Sequence, residues 1–158
     1  MSIWDDMPEK DLVLIMSMTL SHYPLIEYGI PYTKGKAELM CICHKKDEDI
    51  FRSILSTCAF CVINSQWFVA PRAIFPNVVE MYDKTLQMKH IYFGFPLMFR
   101  KQLSNANIGG IPTEWLSIIP ISETEYQFAI NHSVEELGYL LEKHNADYMD
   151  LDRKSVIQ

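Results

Sequence analysis

The sequence predicts an α+β domain, and three observations carry that prediction. Two apolar stretches, 11–21 (DLVLIMSMTLS) and 37–43 (AELMCIC), have the composition of buried strands. Residues 49–64 repeat their apolar side chains at the three- and four-residue spacing of an amphipathic helix. Residues 113–152 then set a buried strand, a proline and two helix-start signals in close succession, followed by an acidic tail.

Taken in order, the chain begins with an acidic leader, 1–10, that lacks the basic segment of a signal peptide. The first strand, over 11–21, ends at Ser21-His22-Tyr23-Pro24. Residues 23–36, with Pro24, Gly29, Pro31 and Gly35, form a loop or an irregular hairpin. The second strand, Ala37 to Cys43, alternates Leu39, Cys41 and Cys43 on one face with Glu38, Met40 and Ile42 on the other. The charged turn HKKDED offers Asp47 or Asp49 as a helix cap, and the helix runs from about Asp49 to Asn64. Its core stripe is Phe51, Ile54, Leu55, Cys58, Cys61 and Val62.

Pro71 and Pro76 bracket a short edge strand at 72–75. Residues 86–99 read as another strand, with Gly94 as a candidate bulge and Pro96 as its limit. Residues 100–113, polar and holding Gly109, Gly110 and Pro112, read as a mobile surface loop. Glu114 to Ile119 is a strand whose ladder Pro120 ends. Ser122 with Glu125, and Ser133 with Glu136, are two capping boxes, so two helices follow. In the second, Val134, Leu137, Leu140 and Leu141 face the core. The polar end, 147–158, either lies across the domain or frays. With 158 residues, no repeat and no low-complexity linker, one domain spanning 1–158 is expected, its leader and its tail peripheral.

Composition excludes several functions. Hydrophobic residues make up 49% and charged residues 22%, which is globular rather than disordered. A net charge of −6 and the lack of a basic run argue against nucleic acid as a partner. The first apolar run is too short to span a membrane. The cytoplasm is the expected compartment.

The four cysteines suggest zinc by spacing alone: Cys41-x-Cys43 and Cys58-x-x-Cys61. Both pairs, however, fall on apolar positions of a strand and a helix, where free cysteine acts as a small hydrophobe. Neither pair sits on the glycine-bearing turn that a zinc knuckle needs. A redox role for Cys58 and Cys61 would want the reactive thiol at a helix start. The five histidines are scattered, and no HExxH, GxSxG or glycine-rich phosphate loop is present. His132 and His144 read as helix-end residues. Asp147, Asp150 and Asp152 lack the glycine and the terminal glutamate of a calcium loop and read as solvated acid, or as a patch for a basic partner. No cofactor and no catalytic residue is assigned.

Several segments together resemble the suppressor-of-fused domain family: AELMCIC at 37–43, Trp67 with IFPN at 74–77, LSIIPISETEYQFAINH at 116–132, LDRKSV at 151–156, and the opening SMTLSHYPL at 17–25. The resemblance runs from about Asp11 onward in the right order. Departures are Thr19 where the family usually has glycine, the missing proline after Cys43-His44, and Ala70-Pro71-Arg72 in place of a glycine turn. The resemblance implies a single domain with a central mixed, largely antiparallel sheet flanked by helices. It also implies binding rather than catalysis. In animals the domain, joined to a further one, sequesters a transcription factor of the Hedgehog pathway. Short stand-alone versions look bacterial and are grouped with immunity proteins that neutralise toxins.

The resulting expectation is a non-enzymatic protein-binding domain, an immunity-type antidote that sequesters a partner toxin encoded nearby. Its acidic contact surface would be Glu114, Glu123, Glu125, Asp147, Asp150 and Asp152. Two alternatives remain open: a regulatory homodimer pairing through an exposed strand such as Met88–Phe95, and a small metal-dependent enzyme using the Cys and His residues.

Overall fold

The structure, a computed structural model, describes residues 1–103 and 107–157. Its elements are β1 (Ser2–Asp5), β2 (Leu12–Met16), β3 (Leu25–Glu27), β4 (Ile30–Tyr32), β5 (Lys36–His44), α1 (Glu48–Asn64), β6 (Ile74–Phe75), β7 (Met88–Gly94), α2 (Arg100–Leu103), β8 (Asn107–Ile108), β9 (Ile111–Ser122), α3 (Glu123–Asn131) and α4 (Val134–Lys143). The main sheet runs β1-β2-β5-β9-β7-β6, with β8 on β9, while β3 and β4 form a separate hairpin. Among the described residues only β5 and β9 pair in parallel. The sheet is therefore mixed and largely antiparallel, with helices packed on it, as the resemblance noted above implies.

β9 is the axis of this sheet because it is paired in two staggered halves. Thr113–Ser117 lies along β5, whereas Ser117–Ser122 lies along β7. Beyond Met40, β5 continues beside β2 alone. This stagger corrects the expectation for Pro120, which sits inside β9 opposite Ile91 rather than ending it. Proline lacks an N–H, and it is tolerated here because the β5 side of β9 is no longer paired. The Pro120 carbonyl accepts from Arg153 Nη2 at 2.9 Å instead.

One face of the sheet is covered by α1. Phe51, Ile54, Leu55, Cys58 and Val62 are buried against Val13, Ile15, Leu39, Ile91, Phe93 and Leu116. Each such large side chain contributes about 2 kcal/mol on burial. The other face is shared. Leu137 and Leu141 of α4 and Ala129 of α3 pack on Tyr92, Ile119 and Ile121, while Phe99 and Leu103 pack on Leu14, Met16 and Met40. Asp47 precedes α1 without a side-chain cap bond, so Glu48 and Asp49 supply the acid of its first turn. Ser122 and Glu125 form the complete capping box at α3. At α4 Ser133 accepts from the Glu136 N–H and donates to Glu135 instead of receiving a reciprocal bond. His132 and His144 are the C-terminal caps of these two helices.

Several boundaries differ from expectation. The first strand stops at Met16: Ser17 still donates its N–H to Leu39 O, but the Leu39 N–H goes to the Ser17 hydroxyl, and the chain then turns into a 3₁₀ segment at Leu20–His22. The leader contributes edge strand β1. The bulge of β7 lies between Met88 and His90, not at Gly94. A Cβ at Gly94 would stand 2.6 Å from Ile119 Cδ1, so glycine there permits close packing. Of the loop predicted at 100–113, residues 100–103 are helical, 107–112 form a hairpin around Gly109-Gly110, both at positive φ, and Thr113 already pairs with β5. Residues 104–106 lie outside the described residues. The strand Met88–Phe95 is not open for pairing with a second copy. Met88 N–H bonds Leu151 O, Lys89 O accepts from Val79 and Glu80, and Phe93 exchanges bonds with Arg72 and Ala73.

Candidate partner-binding surface

The predicted acidic residues do not form one patch. Glu114 is exposed on the half of β9 that follows β5, and Glu123 is exposed where α3 begins. The strand between them spans roughly 25 Å. Glu123 Oε2 lies 2.8 Å from His90 Nε2, and its other oxygen accepts from Gln127. Those two bonds, Gln127 first, hold the Glu123 carboxyl below its ordinary range. His90 is itself buried, accepts the Asn77 N–H on Nδ1 and stacks on Tyr126. That acceptor role leaves the proton on Nε2, aimed at Glu123.

Glu125 must be removed from the contact surface. It is 0% exposed, and its carboxylate is held by Arg153 at 2.7 and 2.9 Å and by the N–H groups of Ser122 and Val156 at 2.8 Å. Asp147, Asp150 and Asp152 are exposed, and each has a local structural task. Asp147 accepts from Met149 N–H and Asp150 from Asp152 N–H, while Asp152 accepts from Gln87 N–H and ties the tail to the start of β7. The tail thus lies across the domain, with Leu151 and Arg153 buried.

Two buried polar groups escaped the sequence reading. The first is Arg153, whose motif was visible but whose partner was not. The second is Glu38, 1% exposed, which accepts from the Ser17 hydroxyl and from both the hydroxyl and the N–H of Ser21. A glutamate amid the apolar residues of AELMCIC was the available signal, since a buried carboxylate needs donors.

The cysteines are core residues. Cys41, Cys43 and Cys58 are buried and Cys61 is half-buried on α1, all as free thiols. Burial pushes the Cys41, Cys58 and Cys61 thiols up, and Cys43 up to about 12. Such thiols are poor nucleophiles and poor ligands at neutral pH. Among the described residues no group of three or more His, Cys, Asp or Glu is placed to hold a metal ion. Among the same residues no helix is long and apolar enough to cross a membrane.

The stagger of β9 leaves its mark on the surface. Where β5 and β9 part, a groove of about 240 Å³ opens, floored by Met40, Ile42 and Ile118. Pro96 turns the chain out of β7, so Phe95, Leu97 and Met98 line one side at 47, 47 and 59% exposure. Tyr148 and Met149 of the tail line the other, with Asp147 among them. Exposed large apolar side chains grouped around a concavity mark an interaction site. Of the six predicted acids, only Asp147 joins it. Phe95 also borders a second, more polar hollow of about 220 Å³ between the 71–72 turn and α4. Arg72 stands at its edge with φ of 72°, its N–H bonded to Phe93 O at 2.7 Å and its guanidinium 3.4 Å from Glu135.

Comparison with known proteins agrees with this architecture. The sequence model of the family described as "Suppressor of fused protein (SUFU)" matches residues 1–154. Immunity protein YqcF of Bacillus subtilis (strain 168) is 36% identical over 152 residues, covering 96% of this chain and 78% of that protein. Two solved structures share the fold. One is a putative suppressor of fused homolog from Neisseria gonorrhoeae FA 1090, with a TM-score of 0.67 and 19% identity over 94% of this chain and 72% of that one. The other is the Sufu-Fu complex, with a TM-score of 0.67 and 13% identity over 98% of this chain and 76% of that one.

Proposed function

The chain belongs to the suppressor of fused family, and from that premise we propose that it is a protein-binding domain of the immunity type, which binds a toxic partner protein and occludes it in the cytoplasm. The observation on this chain that carries the reading is the open groove with Phe95, Leu97 and Met98 exposed around it. A wide apolar concavity of this kind suits a protein segment, whose own apolar side chains would remove these residues from water. YqcF, similar over nearly the whole chain, carries the name immunity protein, which supports the class. The solved Sufu-Fu complex supports a protein as the partner type. A net charge of −6 favours a basic partner and would speed its association. The buried, protonated thiols fit a binding role better than a metal-dependent one.

The test is co-expression with the product of each adjacent gene. A stable complex with one of them, and protection of cells from its toxicity, is the expected result. Neither complex nor protection with any neighbour would overturn the reading.

A further inference from the structure

We propose that the polar hollow beside Phe95 is a socket for an arginine side chain of the protein partner, with the Glu142 carboxylate and the Tyr92 hydroxyl as its polar contacts. The proposal rests on the protein-binding reading and deepens it by naming the chemistry of one contact.

The hollow follows from the spacing on α4. Glu135, Gly138 and Glu142 stand at i, i+3 and i+7, so they share one stripe of the helix. Glycine in the middle leaves a gap between two carboxylates. Tyr92 of β7 reaches this gap from the sheet. A Cβ at position 138 would stand 2.5 Å from its hydroxyl oxygen.

Tyr92 is 5% exposed, its hydroxyl bonds no side chain or backbone group among the described residues, and that oxygen reaches solvent only at the hollow. Buried phenols ordinarily find a partner. Here the hydroxyl lines an open hollow and is placed to bond whatever enters it. Burial, with the two glutamates and against the opposing Arg72, pushes the Tyr92 phenol up, so it stays protonated and neutral.

Charge selects the occupant. Arg72 is already spent on Glu135 at 3.4 Å, whereas Glu142 has no ion-pair partner among the described residues. Lys143, the other nearby cation on α4, points its ammonium at the Tyr139 ring, 5.7 Å from the centroid. An anionic side chain would meet both glutamates. A guanidinium carries only donors in a planar fork, so it can bond the Glu142 carboxylate and the Tyr92 oxygen together. Tyr139, 61% exposed, adds an aromatic wall that favours a cation. Phe95 separates this socket from the apolar groove, so a segment lying in the groove can place an arginine over it.

The experiment is an NMR titration of the isotope-labelled full chain with N-acetyl-arginine-N-methylamide, and with the lysine and citrulline derivatives. Saturable amide shifts at 92–95 and 138–142 are expected for arginine, weaker ones for lysine, and none at those positions for citrulline. Glu142→Gln, an exposed helix substitution, is expected to abolish them while leaving the rest of the spectrum unchanged. In the complex with the partner it should weaken affinity about tenfold, as for loss of a charged hydrogen bond. Gly138→Ala sets a Cβ against the Tyr92 hydroxyl, so as a second variant it is expected to reduce the arginine shifts as well. Absence of shifts in the socket at the solubility limit, equal shifts with citrulline, or full binding by Glu142→Gln would each overturn the proposal. If the partner complex forms while the socket ignores arginine, only the socket is lost. If the socket binds arginine and no neighbour forms a complex, it is the immunity reading that falls.

Discussion

Arg153 grips Glu125 with two guanidinium nitrogens, Nη1 on Oε1 at 2.7 Å and Nη2 on Oε2 at 2.9 Å, and neither side chain is more than 7% exposed. The pair does more than neutralise itself. Glu125 also closes the capping box of α3 through Ser122 N–H and receives Val156 N–H, while Arg153 bonds the Pro120 carbonyl. One ion pair thus joins the C-terminal end of β9, the start of α3 and the C-terminal tail.

Removing one partner leaves a buried charge without compensation. Arg153→Met or Glu125→Leu should each cost about 3–5 kcal/mol in urea denaturation. The double substitution should cost less than the sum of the singles, because no lone charge remains. Singles that cost under about 1 kcal/mol would show that the pair is dispensable.

Glu123 is the case with a pH signature. Its carboxyl is held below the ordinary glutamate value of 4.5 by Gln127 and then by His90. A lowered folded-state pKa stabilises the fold above the unfolded-state pKa, and the contribution disappears as pH falls through the folded value. The melting temperature of the wild type should therefore exceed that of Glu123→Gln at neutral pH, by a small and salt-sensitive margin because the carboxylate is largely exposed. The margin should begin to close only below pH 4.5. A margin that is constant down to the acid transition would exclude the Glu123 charge as its source.

The thiols offer a direct test of the core. In the native protein at pH 8 an alkylating reagent should label Cys61 slowly and leave Cys41, Cys43 and Cys58 unmodified, since burial both shields them and keeps them protonated. Denaturant should expose all four. Mass spectrometry reads the count. Rapid native labelling of Cys58 would contradict the packing of α1.

For the groove, Leu97→Asp should abolish capture of the partner without changing the melting temperature, since Leu97 is about half exposed. Ile130→Asp, a change of the same kind on α3 at a somewhat more exposed position, should leave capture intact. Equal loss with both variants would move the contact surface away from the groove.

Much of the fold was legible in the sequence. The stripe Phe51, Ile54, Leu55, Cys58, Cys61 and Val62 marked α1 because helical periodicity reports which face is buried, and all but the half-buried Cys61 are fully covered. The Ser122–Glu125 box marked the start of α3 because its donors and acceptors lie three residues apart. The alternation of Leu39, Cys41 and Cys43 placed the cysteines in the core for the same local reason.

What the sequence by itself determined is therefore local: which residues form strands and helices, which face of each is apolar, and which family the ordered set resembles. The tertiary structure alone decided that β9 pairs first with β5 and then with β7, so that Pro120 falls inside a strand and a groove opens where β5 leaves. It also decided that Glu125, an apparent surface acid, meets Arg153 in the interior. Periodicity states how a residue faces, but a partner 28 positions away is chosen by the path of the chain, and no short-range pattern encodes that path.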